Sequence, residues 1–131
     1  AYMDNEAMDK KTRYKEFLKW ARKSADNGYG RALLWMGTIY DGKEPEFEEM
    51  GLVKRNYKTA VSFYLKIENK SADIIDKIIE CYVEEAKLVK GKNEKEFVKC
   101  LSEAEKWIDE LEKIDERKAT VARIYTLGQL K

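Results

Sequence analysis

The chain has 131 residues, of which 26 are basic and 25 acidic, so its formal net charge is +1. This balance gives no overall field that would draw the chain to nucleic acid or to an anionic membrane surface. The sequence contains no histidine, which removes the commonest general base and metal ligand from any candidate site. We therefore expect no catalytic residues, no metal site and no cofactor, and the protein is predicted not to be an enzyme.

The composition is typical of helices with one polar and one apolar face. Charged residues make up 39% of the chain and hydrophobic residues 44%, with one proline and seven glycines, as in amphipathic helices. No segment alternates between polar and apolar residues for more than a few positions, so no strand is predicted. These features predict a single all-α domain over residues 1–131, with about six helices and no β-sheet.

The sequence also bears on membrane insertion and compartment. It shows neither a signal peptide nor an apolar run of the ~18 residues that a membrane span needs, so no membrane insertion is expected. Because it begins at Ala1 and ends within an apolar-periodic stretch, we expect it to be an excised segment of a longer protein. Cys81 and Cys100 lack zinc-site spacing and are interpreted either as small core residues or as a disulfide. A reducing intracellular compartment is favoured.

The first two helices are predicted from apolar spacing. Residues 1–9 show little pattern and are expected to be a frayed lead-in or the end of an upstream helix. Residues 10–26 carry an amphipathic stripe that includes Tyr14, Phe17 and Leu18, and Gly28 ends it. The next helix, within residues 31–42, is apolar nearly all round. Gly37 inside it costs ~1 kcal/mol relative to alanine, and close approach of a neighbouring helix is the expected compensation.

The remaining elements follow in chain order. Residues 43–55 hold the only proline and several glutamates, at positions 44, 46, 48 and 49, and are predicted to be a loop. Helices are then predicted over 56–68, 72–90, 94–114 and about 116–131, with caps at Asn56 and at Asn69 or Ser71. The helices are grouped as hairpins of approximately 10–42 (offset), 56–90 and 94–131.

An internal repeat supports this grouping. An aromatic residue returns at Trp20, Phe63 and Trp107, at intervals of 43 and 44 residues, with apolar neighbours in the same register. A period of 20 to 50 residues in helical pairs is typical of solenoids, in which each hairpin buries its face against its neighbours.

The residues also resemble the Sel-one-like repeats, a subclass of tetratricopeptide-like α-solenoids. The first half of the family pattern is matched by Ala32, Met36, Gly37, Tyr40 and Gly42, and the second half by Asn56, Ala60, Phe63, Tyr64 and Lys66. The middle of the chain departs from the pattern, since Ile79 and Glu80 stand where leucine and glycine are expected. Leu127 and Gly128 resemble the leucine-glycine pair of a further repeat.

The resemblance implies that the first helix of each hairpin lines a concave groove. The candidate partner-binding residues are Arg31, Leu34, Trp35, Thr38 and Asp41, with Lys77 and Glu84 at the matching positions of the next hairpin. Trp35 is the leading candidate, because a partly exposed tryptophan is a common anchor for a peptide or helix. Its place in an apolar run is equally consistent with a core residue.

The leading functional hypothesis is an interaction module or scaffold segment that binds another protein or peptide in this groove. The alternatives are a helical regulatory or accessory domain of a larger enzyme, or a nucleic-acid binder that uses the basic first helix. That helix carries a row of cations, Lys10, Lys11, Arg13, Lys15, Lys19, Arg22 and Lys23. They are interpreted either as a phosphate-binding stripe or as a solvated outer face, and the balanced net charge favours the second.

Overall fold

A computed structural model describes residues 2–130, with side chains from residue 9 onward. All regular structure within these residues is helical, which confirms the predicted all-α class. The α-helices are α1 (Tyr2–Asp26), α2 (Gly30–Tyr40), α3 (Glu46–Glu49), α4 (Tyr57–Leu65), α5 (Ala72–Val89), α6 (Glu94–Glu112) and α7 (Glu116–Val121). A π-helical turn (Ala122–Thr126) and a 3-10 turn (Leu127–Leu130) follow α7.

The chain divides into two compact units, residues 1–67 and residues 68–131. The boundary falls inside the predicted hairpin of residues 56–90, so α4 belongs to the first unit and α5 to the second. In the first unit α2 packs against both α1 and α4. In the second unit α5 packs along α6, and the segment from α7 to the 3-10 turn packs against both.

The core of the first unit is centred on α2, which is covered from two sides as its apolar composition requires. Its buried residues on α2 are Ala32, Leu33, Met36, Gly37 and Ile39. Gly37 faces Tyr64 of α4, and a Cβ placed on Gly37 would lie 2.6 Å from Cζ of that ring. The predicted reason for this glycine, close approach of the second helix, is therefore confirmed.

The segment between α2 and α4 is more structured than predicted. Residues 43–55 contain the short helix α3, and Phe47 within it is buried. The Phe47 ring lies 5.0 Å from the ring of Tyr14 and 6.2 Å from that of Phe17. This segment therefore contributes a core side chain, because aromatic burial outweighs the polarity of the surrounding glutamates.

The core of the second unit follows the predicted stripes of α5 and α6. Its buried residues are Ile75, Ile79, Val83 and Ala86 on α5, Cys100, Ala104, Ile108 and Leu111 on α6, and Ala119, Ala122, Leu127 and Leu130 beyond them. Both Cys81 and Cys100 are buried and neither forms a disulfide, which confirms their interpretation as small core residues.

Helix starts agree with the predicted caps. The side chains of Asn56 and Ser71 accept hydrogen bonds from the amides of Thr59 and Ile74. Asn93 at the start of α6 does the same for Glu96. Each bond satisfies one of the amides that a helix N-terminus leaves without an internal partner.

One predicted boundary is wrong. Residues 2–9 are helical and continuous with α1, because no glycine or proline stops the helix before Gly28. The stretch predicted as helical over about 116–131 is helical as far as Leu130, although it is an α-helix only to Val121 and continues as the π-helical and 3-10 turns. The wider π turn brings Ala122 and Leu127, five residues apart, to the same core.

Candidate functional site

The first unit presents a row of aromatic side chains where α1 meets α2. The Phe17 ring lies 5.5 Å from the ring of Trp20 and 5.1 Å, edge-on, from the ring of Trp35. Trp20 is 49% exposed, whereas Phe17 and Trp35 are half-buried. We refer to these three residues, Trp20, Phe17 and Trp35, as the aromatic strip. Such rings give a partner a large apolar contact area at low entropic cost.

Arg31 and Trp35 lie one helical turn apart on α2, so they share a face of that helix. Arg31 is exposed, which places a cation beside the aromatic strip. Leu34 and Thr38 are half-buried. The Thr38 hydroxyl donates to the Leu34 carbonyl at 2.8 Å and lies 3.4 Å from the Tyr64 hydroxyl. Its hydrogen-bonding partners are therefore within the first unit. Of the predicted α2 residues, Arg31 and Trp35 therefore have the clearest access to a partner.

Asp41 has a structural role that its sequence pattern does not show. It is buried, its Oδ2 accepts a 2.6 Å hydrogen bond from the Tyr64 hydroxyl, and its Oδ1 accepts one from the Lys43 amide at 3.0 Å. The α-helix ends at Tyr40 and Asp41 is its C-cap. Extrapolating the helical face to this position therefore misplaces the carboxylate, and we remove Asp41 from the candidate surface.

Lys77 and Glu84 lie on α5, in the second unit. Both are half-buried, and the Glu84 carboxylate accepts a hydrogen bond from Lys87 at 2.9 Å. The two residues are seven positions apart and so share a face of α5. Their place in a partner-binding groove stays a prediction.

Trp20 is the surface residue that the sequence interpretation did not single out as a site. A usable signal was its position on the helix, since it lies three residues after Phe17 and therefore at the edge of the buried stripe, beside Phe17. A tryptophan at the edge of a buried stripe can pack against the core on one side and offer apolar surface to a partner on the other.

The other flank of α1 is basic. Lys15, Lys19, Arg22 and Lys23, which we call the basic flank, border an open cavity of about 530 Å³. Leu18 and Leu52 form its apolar part, and Asp26 contributes the one carboxylate. The Arg22 guanidinium donates to the Tyr40 hydroxyl at 3.0 Å. None of the three residues of the aromatic strip lines this cavity.

Several ionisable side chains of the second unit have shifted pKa values. Burial raises the pKa of Tyr82 to about 12, with a smaller contribution from Glu103. On the surface, a hydrogen bond from Arg123 lowers the pKa of Glu112, and a hydrogen bond to Asp73 raises the pKa of Lys118. Tyr82 stays neutral and the ion-paired groups stay charged near neutral pH, so none is prepared for proton transfer at that pH.

Comparisons with known proteins identify no relatives. No family model matches the chain. No curated protein and no solved structure shows significant similarity to it either. Across the residues that the structure describes, no helix combines the length and apolarity needed to cross a membrane. In the same part of the chain, no group of three or more His, Cys, Asp or Glu side chains is placed to hold a metal ion.

Proposed function

We propose that the first unit is a protein-interaction module and that it holds a partner peptide on the aromatic strip. The observation that carries this proposal is Trp20, a large apolar side chain that is half exposed and in contact with Phe17. Tryptophan is enriched among the few interface residues whose truncation to alanine costs ~2 kcal/mol of binding energy or more. The strip thus supplies the kind of anchor that peptide-binding surfaces use.

The contacts around the strip favour a rigid surface over a flexible one. Trp35 is half-buried and packs edge-on against Phe17, while Phe17 also lies near the buried Phe47. Rings fixed in this way lose little conformational entropy when a partner binds. Arg31 adds an exposed guanidinium on the same face as Trp35, which can pair with a carboxylate of the partner. The partner is therefore proposed to present an apolar or aromatic side chain next to an acidic one.

The resemblance to Sel-one-like repeats supports the same class of function. We further propose that the helix pairs are repeats of this type. Gly37 and Tyr64, two residues of the family pattern, face each other where α2 and α4 approach closely. Repeat proteins of this architecture present extended surfaces to partners. A shared fold does not establish a shared function, so the experiment below probes the residues of the aromatic strip.

Selection of peptides from a random displayed library on the purified chain tests the proposal. Peptides that bind the unaltered protein should bind a Trp20→Ala variant at least about tenfold more weakly, because an apolar anchor has been removed. The thermal melt should change little, since Trp20 is half exposed. Trp35→Phe, which keeps a ring against Phe17, should weaken binding less than Trp35→Ala.

Tyr125 provides a matched control, because it is an aromatic residue of the second unit with 69% of its surface exposed. A Tyr125→Ala variant should bind the selected peptides as tightly as the unaltered protein. Failure of the selection to enrich any peptide, or equal binding by Trp20→Ala, would contradict the proposal. A collapse of the melt in Trp35→Ala would assign that tryptophan to the core.

A further inference from the structure

We infer that the basic flank of α1 is a second docking surface, and that its occupant is an acidic amphipathic helix of a partner protein. The inference does not rest on the aromatic strip, because none of the side chains that line the cavity belongs to the strip. It rests on the arrangement of charge and apolar surface around the cavity that Lys15, Lys19, Arg22 and Lys23 border.

The cations of the basic flank are regularly spaced and available. Lys15, Lys19 and Lys23 follow one another at intervals of four residues, so their Cα atoms are about 6 Å apart along the helix axis and their side chains leave the same face. Among the side chains that the structure describes, none forms an ion pair with these three lysines. Arg22 is oriented by its hydrogen bond to Tyr40 and retains further N–H donors.

The spacing of the lysines and the apolar part of the cavity together favour an acidic amphipathic helix as the partner. A helix with a glutamate or aspartate at every fourth position repeats the same spacing of about 6 Å, so consecutive carboxylates can meet consecutive lysines. Part of the cavity lining is apolar, because Leu18 and Leu52 belong to it. An aliphatic residue of the partner helix can pack against this apolar part, as expected for the apolar face of an amphipathic helix.

Nucleic acid shares the negative charge but fits the cavity less well. No aromatic side chain is among those that line it. Proteins that bind single strands rely on aromatic rings against which the bases stack. A nucleic acid could therefore contact the cations of this cavity but would have no aromatic ring for its bases to stack on. An acidic amphipathic helix could use both the cations and the apolar lining.

The test measures fluorescence anisotropy with three labelled probes. The first is a short helical peptide of alanine and leucine with glutamate at every fourth position, the second has glutamine in place of glutamate, and the third is single-stranded DNA. The glutamate peptide should bind the full chain, and the Lys15→Glu/Lys19→Glu variant should weaken that binding at least about tenfold. Added salt should also weaken it, since the contacts are exposed.

Lys95 and Lys99 offer a matched control. They are also four residues apart, both are exposed, and they border a cavity of about 520 Å³ on α6 next to Val98. A Lys95→Glu/Lys99→Glu variant should bind the glutamate peptide as the unaltered protein does, and so should Trp20→Ala. Equal binding of the glutamine peptide, tighter binding of the DNA, or an equal loss in the α6 variant would overturn the inference.

Discussion

Replacing Gly37 with alanine should lower the free energy of unfolding of the first unit by about 1–3 kcal/mol, although alanine is the better helix former. The added Cβ would lie 2.6 Å from Cζ of Tyr64, well inside van der Waals contact. The ring has nowhere to move, because Tyr64 is fully buried and its hydroxyl is bonded to Asp41. Urea denaturation followed by far-ultraviolet circular dichroism measures the change.

Gly30 is the matched control, since it lies in the same helix and no heavy atom would be within 4 Å of a Cβ placed there. Gly30→Ala should leave stability unchanged or raise it by up to about 1 kcal/mol. Tyr64→Leu removes the aromatic ring, so Gly37→Ala should cost much less in that background. A Gly37→Ala variant as stable as the unaltered protein would show that the two helices are not in close contact.

Breaking the bond between Asp41 and Tyr64 should have the second large effect. Asp41→Ala removes the carboxylate that accepts the 2.6 Å hydrogen bond from the buried Tyr64 hydroxyl, and Tyr64→Phe leaves the buried carboxylate without one of its donors. Each change should lower the free energy of unfolding by about 1.5–3 kcal/mol, because the bond involves a charged group and is shielded from water. The double variant should cost less than the sum of the two by about 1 kcal/mol or more.

The exposed pair of Arg123 and Glu112 serves as the comparison. Its two hydrogen bonds have ordinary lengths of 3.1 and 3.0 Å, yet water and salt screen an exposed ion pair, so it contributes little to stability. Arg123→Ala should therefore change stability by less than either variant of the buried pair. If the stability losses of Asp41→Ala and Tyr64→Phe simply added in the double variant, the two side chains would not be energetically coupled and the account of this bond would be contradicted.

Much of the helical structure follows from local sequence. Asn56 and Ser71 are suited to helix N-caps and occupy them, and the apolar stripes of α5 and α6 supply the buried residues of the second unit. Such features are predictable because they depend on spacing and capping within a few residues. The purpose of Gly37 was also predictable, since a glycine in a helix interior needs a compensating contact.

The sequence interpretation failed where the environment of a residue is set by distant parts of the chain. Phe47 lies among glutamates and is buried because Tyr14 and Phe17 of α1 pack against it. Asp41 is buried because α4 brings the Tyr64 hydroxyl to its carboxylate. Neither contact leaves a local pattern. The proline and the glutamates around Phe47 therefore predicted a loop, and the family resemblance placed Asp41 on a partner-facing surface.

Part of the candidate site was predictable from the sequence and part was not. The family resemblance implied Arg31 and Trp35 as partner-binding residues, and both retain exposed surface. Trp20 was recognised as a repeating aromatic residue, but its role at the surface depends on the contact of Phe17 with both tryptophans. That contact joins two helices, so the aromatic strip becomes visible only when α1 and α2 are packed together.

The emission of Trp20 alone tests the proposed interaction surface most directly. The chain has three tryptophans, so Trp35→Phe combined with Trp107→Phe leaves Trp20 as the only one. On addition of a peptide selected for binding, its fluorescence should shift to shorter wavelength, because the partner excludes water from the half-exposed indole. Unchanged emission at saturating peptide would contradict the account and place the binding surface elsewhere.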